Sequence, residues 1–192
     1  MLTDNAARWV LVLHTVLGLA AVGAATHLVI WVRRYVRGAL GKRRAVRRFA
    51  VYSLVLHAGA MLAGNLVYPT YKVEVRTAYL ENAGAIVADR TARARELERI
   101  AARDGTRPYE STPTPEVIKQ AAKVARWFDV KEHWVALGLL ASLGLVLVLS
   151  FWDVRQDGRA LAPIIVALAV VIAGTVWLGA IVGVLTASWR AV

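Results

Sequence analysis

The sequence predicts an all-α integral membrane protein, a four-transmembrane-helix bundle with an extramembrane helical hairpin between its second and third spans. Three observations carry that prediction. Of the 192 residues, 58% are apolar and the mean hydropathy is +0.50, too high for a water-soluble domain. The apolar residues are gathered into four runs instead of being dispersed at helical or strand period, and one long segment between runs is densely charged. A chain of this length amounts to about one domain.

The runs are Trp9 to Val32, Phe49 to Tyr68, Trp134 to Trp152 and Leu161 to Trp189, giving spans over 9–32, 49–68, 134–152 and 161–189. Each reaches the roughly 20 residues that a helix needs to cross a hydrocarbon core of about 30 Å. Inside lipid the backbone must satisfy its own hydrogen bonds, so Ala-, Leu-, Val- and Gly-rich runs of this length read as helices. Trp9, Trp31, Trp134, Trp152, Trp177 and Trp189 lie mostly near the run ends, as in an aromatic belt. The first run is longer than a signal h-region, lacks a basic n-region and shows no clear cleavage site, so it is expected to stay as a helix.

The loop between the first two spans carries Arg33, Arg34, Arg37, Lys42, Arg43, Arg44, Arg47 and Arg48 with no acid. By the positive-inside rule it is cytoplasmic, which puts both termini and the long loop between spans two and three outside. This loop accounts for most of the formal charge of +11 and reads as a topology signal in contact with anionic lipid. No nucleic-acid partner is expected, because no reader motif accompanies the charge.

The segment 70–133 is the hairpin. Tyr71 to Arg103 reads as a helix with spaced apolar residues Val73, Leu80, Val87, Leu97 and Ile100 and a charge pair, Asp89 with Arg93. Asp104, Gly105 and Pro108 break it. Thr114 then offers an N-cap with Pro115 at the first helical position, and the helical pattern runs unbroken to Trp152. The third span is therefore expected to extend outward and pack on its predecessor through Val117, Ile118, Ala121, Val124 and Phe128; the competing picture has these segments lying flat on the membrane surface.

With no cysteine in the sequence, disulfides, thiolate metal sites and c-type haem attachment are excluded. No Walker loop, dinucleotide-binding fingerprint, H-E-x-x-H or nucleophile elbow is present. The histidines carry the remaining chemistry. His14, His27, His57 and His133 all fall within or at the end of a span, and ionisable residues in lipid are costly and usually functional. Counted from the interfaces, His14 and His133 share an outer level, and His27 and His57 share an inner one within roughly 5 Å. Two stacked pairs match what bis-imidazole haem iron requires, one axial nitrogen on each face of the macrocycle. Gly18, Gly23, Gly59, Gly64, Gly138 and Gly144 offer room beside them. Arg33, Arg34, Arg47 and Arg48 near the inner level, and Tyr68, Tyr71, Lys72, Arg126 and Lys131 near the outer, are candidate partners for propionates. The thirteen residues from His14 to His27 turn an ideal helix by about 220°, so the two rings leave the first helix on different faces.

The spans and this constellation resemble the membrane cytochromes b of bacterial respiratory and b561-like systems. The resemblance implies two b-type haems ligated by His14, His27, His57 and His133, and electron transfer through the bilayer of a bacterial inner membrane. It further implies a redox partner protein or larger membrane complex, with a quinone as a further candidate cofactor. The chain would then be an electron-carrier subunit and need not break a bond itself. Asp129 and Glu132 beside His133 are either proton carriers or members of ion pairs with Arg126 or Lys131. Two other readings stand beside this one: a non-redox structural or docking subunit of a larger membrane complex, and a metal-ion transporter, which the lack of cysteine and of a close histidine pair disfavours.

Overall fold

The computed structural model describes residues 3–106 and 112–191; Pro108, one of the expected helix breakers, lies outside them. Among the described residues there is no strand, and five α-helices account for nearly the whole chain. They are α1 (Asp4–Val36), α2 (Arg43–Thr70), α3 (Ala83–Asp104), α4 (Thr114–Phe151) and α5 (Ala162–Ala191), with a short 3₁₀ turn at Leu40–Lys42. Four helical segments are long and apolar enough to cross a membrane: Asn5–Val36, Leu40–Leu80, Thr114–Phe151 and Ala162–Trp189. Each expected span falls within one of them, the third and fourth to within one residue at Trp152 and Leu161. Neighbours around the bundle run α1, α2, α4, α5 and back to α1.

Each spanning helix buries one stripe and leaves the rest apolar. Ala21, Ala25, Leu28 and Val32 of α1, Val46 and Ala50 of α2, Ala141, Leu145 and Leu149 of α4, and Ile165, Ala169 and Ile172 of α5 fill the core. Leu19, Val55, Leu62, Leu66, Leu140, Val184 and many like them face outward and exposed. An apolar surface of that extent would not persist in water. It suits lipid, where a helix may be hydrophobic all round.

The extramembrane part departs from the expected two-helix hairpin. The chain does not end α2 at Tyr68 but runs through Pro69 into a π-helical segment, Tyr71–Leu80. Proline has no N–H to give and its ring crowds the carbonyl of residue i−4, so the α ladder fails there and a wider turn continues the helix. The break expected nowhere between Tyr71 and Arg103 falls at Glu81 and Asn82, where the Asn82 side chain caps α3 by accepting from the Ala85 N–H at 3.1 Å. Gly105 then ends α3 in the left-handed region, φ 67°.

The third apolar run does extend N-terminally without a break, as one continuous 38-residue helix. Its outer part packs through Val117, Ile118, Ala121, Val124 and Ala125, but against Val75, Tyr79 and Leu80 of the π segment and Ile86 at the start of α3. The expected α3 contacts are absent: Val87, Leu97 and Ile100 are exposed. The expected Asp89–Arg93 pair forms, at 3.1 Å. Trp152, expected in the aromatic belt, is instead buried in the core, edge-on to Tyr35 with ring centroids 6.1 Å apart.

Candidate functional site

The four histidines divide into two that face the bundle core and two that do not. His14 shares its α1 face with the buried Ala21, Ala25 and Leu28, and its Nδ1–H donates to the Ala60 carbonyl of α2 at 2.7 Å. The ring lies against Gly64, where a Cβ would stand 3.0 Å from His14 Cε1. His57 lies on the α2 face that also carries the buried Ser53 and Ala60 and is only 2% exposed. It points between α4 and α5, into a notch at Gly138, whose added Cβ would stand 2.7 Å from His57 Cε1 and 2.0 Å from Thr175 Oγ1. Neither ring nitrogen of His57 has a hydrogen-bond partner, although the Val135 backbone runs alongside without reaching good geometry.

His27 and His133 face outward. His27 belongs to an exposed α1 stripe with Val16, Ala20, Gly23 and Ile30, stacks on Phe49 at 5.5 Å and 13°, and donates Nδ1–H to the Gly23 carbonyl at 2.9 Å. His133 lies on the α4 face of the exposed Val130, Leu137 and Leu140 and donates to the Asp129 carbonyl at 2.8 Å.

Helix register explains which expected pairs form a level. Leu17 meets Gly59 and His27 meets Phe49, so His57 stands opposite about Leu19 of α1, roughly 12 Å of helix rise from His27. The expected inner level is therefore not shared. Gly138 abuts His57, and His133 is one and a half turns further out, about 7 Å, which is also the offset of His14. His14 and His133 come to similar heights, but His14 turns inward against Gly64 of α2 while His133 turns outward and is exposed. Among the described residues no group of three or more potential metal ligands converges.

The tautomers still carry information. A carbonyl can only accept, so His14, His27 and His133 each hold a proton on Nδ1 and present the Nε2 lone pair, the form in which an imidazole ligates metal. His57 is a buried imidazole with both nitrogens free of partners, an arrangement that costs about 1–3 kcal/mol unless a ligand, ion or water completes it. These residues fit axial ligation by chemistry. The core is closed around them, so a macrocycle beside His57 requires α4 to stand away from α2 and α5 at Gly138 and Thr175.

The other expected site residues scatter. Lys131 turns inward, its Nζ 5.4 Å over the Phe128 ring and 3.4 Å from the Cβ position of Gly183 on α5. Tyr68 and Tyr71 stack on the same Phe128 at 6.0 and 4.0 Å. Arg33, Arg34, Arg47 and Arg48 are all exposed, with Arg34 over the Trp31 ring at 5.5 Å. Asp129 is taken by neither Arg126 nor Lys131: Arg76 of the π segment holds it in a two-pronged pair at 2.7 and 3.3 Å and also binds Glu81 at 2.8 Å.

A polar knot at the basic end was not foreseen. The buried Tyr35 hydroxyl donates to Asp153 Oδ1 at 2.8 Å and accepts the Val154 N–H at 3.2 Å. Asp153 also accepts the Arg155 N–H at 3.1 Å and pairs with Arg43 at 3.0 Å. The Arg155 N–H, then the Tyr35 hydroxyl, hold the Asp153 carboxyl below its usual range. A tyrosine just past the Arg33-Arg34 pair and an aspartate directly after a span were the available signals.

No protein-family model, curated protein or solved structure matches this chain.

Proposed function

We propose that the protein is a membrane-embedded b-type haem carrier that passes electrons through the bilayer, with His57 and His14 as the ligand donors and the basic loop on the cytoplasmic side. The observation that carries the reading is His57, a fully buried imidazole at the centre of a membrane bundle with both nitrogens unpartnered. Bound haem would supply one-electron chemistry at its iron. The chain's own residues do the rest. Ala60 fixes the His14 tautomer through its carbonyl, the apolar core excludes water and biases the potential by burial, and Lys131, Tyr68 and Tyr71 at the outer end of the core are the groups nearest at hand for propionates. The outward faces of His27 and His133 do not support a second haem held within one chain, so one haem per chain is the expected content. Pyridine haemochrome analysis of the purified wild-type protein tests this: a b-type spectrum is expected, and a preparation without a Soret band rejects it.

A second reading, a non-redox docking subunit of a larger membrane complex, is favoured by one feature. Helix α3 is exposed at every position from 91 to 100 and touches the rest of the protein mainly through Ile86 and Ala101, which leaves an arm for a partner. Haem-free protein that co-purifies with a partner only while α3 is intact would favour it.

A further inference from the structure

At the basic end, opposite the hairpin, a cleft of about 480 Å³ opens between the α1–α2 turn and the α4–α5 connection, lined by Leu40, Gly41, Arg43, Arg44, Arg47, Asp153 and Arg155. Four guanidiniums surround one carboxylate. The three on α2 are there because positions 43, 44 and 47 fall on one side of its first turn, and that turn's backbone N–H groups add partial positive charge. Asp153 offsets only one of the four charges, that of Arg43, with which it pairs at 3.0 Å, and its other contacts are the Tyr35 hydroxyl and the Arg155 N–H. Arg43 is thereby fixed, and its Nε is buried without a partner. Arg44, Arg47 and Arg155 remain exposed.

Arg47 also lines a second, narrow depression between α2 and α4, walled by Ala50, Val51, Val146, Leu149 and Ser150. The basic cleft and this mostly apolar depression therefore adjoin at Arg47. We propose that this composite site binds an anionic glycerophospholipid, its phosphate among Arg44, Arg47 and Arg155 and an acyl chain along the α2–α4 groove. Bidentate guanidinium pairing suits a phosphate diester, and basic pockets between spans at this depth suit acidic headgroups. Arg44, Arg47 and Arg155 leave the cleft net positive, so it repels the cationic choline or ethanolamine group, and headgroups carrying one are disfavoured. The proposal is independent of haem.

The test is native mass spectrometry of the full-length protein in detergent, with phosphatidylglycerol and phosphatidylcholine of the same acyl chains, and inorganic phosphate as competitor. Wild type is expected to retain phosphatidylglycerol preferentially. Arg44→Gln, Arg47→Gln and Arg155→Gln are each expected to weaken it about fivefold, without altering the weak retention of phosphatidylcholine. Ser150→Trp, which fills the groove and leaves the arginines alone, is expected to weaken it too. All four positions are exposed, and Arg155 lies outside any helix, so the variants are expected to fold, with helical circular dichroism as the check. Equal retention of both lipids, or wild-type retention in the folded triple arginine variant, overturns the proposal. Full displacement by millimolar phosphate together with no effect of Ser150→Trp overturns the lipid assignment in favour of a soluble anion.

Discussion

The Tyr35 hydroxyl donates to Asp153 Oδ1 at 2.8 Å across 118 residues of sequence, so the end of α1 is tied to the start of the α4–α5 connection by a bond that neither local helix could supply. Tyr35 is 1% exposed and packs edge-on against the buried Trp152. Tyr35→Phe keeps the ring and removes the donor, leaving a buried carboxylate short of one partner. The expected result is a fall in Tm of about 2–4 °C in detergent thermal-shift measurements, with helicity unchanged.

Asp153 makes this end of the protein sensitive to acid. Its carboxyl ionises below the ordinary value of 3.8 because the Arg155 N–H and the Tyr35 hydroxyl favour the charged form. A carboxylate with a depressed folded-state pKa stabilises the fold at pH above its unfolded value, and that contribution disappears as pH falls through the folded value. The knot should therefore be fully formed from neutrality down to about pH 5 and weaken below 3.8. Melting curves of wild type should converge with those of Asp153→Asn in that acid window and separate above it. Parallel curves at all pH would contradict the assignment.

Gly138 is required by space. An added Cβ would stand 2.0 Å from Thr175 Oγ1 and 2.7 Å from His57 Cε1, so Gly138→Ala is an overpacking change despite the better helix propensity of alanine. It should destabilise by about 1–3 kcal/mol, whereas Gly64→Ala, which meets only the His14 ring edge at 3.0 Å, should cost less. Adding Thr175→Ala should recover part of the Gly138→Ala loss, which unfolding measurements on the double variant would reveal.

Arg76 and Asp129 join the π segment to α4 by a two-pronged contact. In a double-mutant cycle with Arg76→Gln and Asp129→Asn, the losses should be non-additive, with a coupling of about 0.5–1 kcal/mol at this partly exposed site. Additive losses would mean that the contact is incidental.

The spans were legible because apolar runs of membrane length admit little else, and the 38-residue α4 was legible because no proline interrupts its pattern after Pro115. The π segment was not. Continuation through Pro69 is favoured by contacts with α4 that are distant in sequence: Tyr71 on Phe128, Arg76 with Asp129, and Val75, Tyr79 and Leu80 against Ala121 and Ala125. Heights of histidines along single helices could be counted, and His14 and His133 do share a level. The match between His27 and His57 failed because it needed the register between α1 and α2, which Leu17 on Gly59 and His27 on Phe49 set by contact. Facing was only partly readable: the turn of about 220° between His14 and His27 put the two rings on different faces of α1, but did not show that the face of His27 is turned outward.

The most direct measurement is haem content per chain in purified wild type, His57→Ala and His133→Ala, quantified side by side as pyridine haemochrome. Ligation by the core-facing rings predicts b-type haem in wild type, its loss in His57→Ala and its retention in His133→Ala. Haem-free wild type, or loss in His133→Ala with retention in His57→Ala, would contradict it.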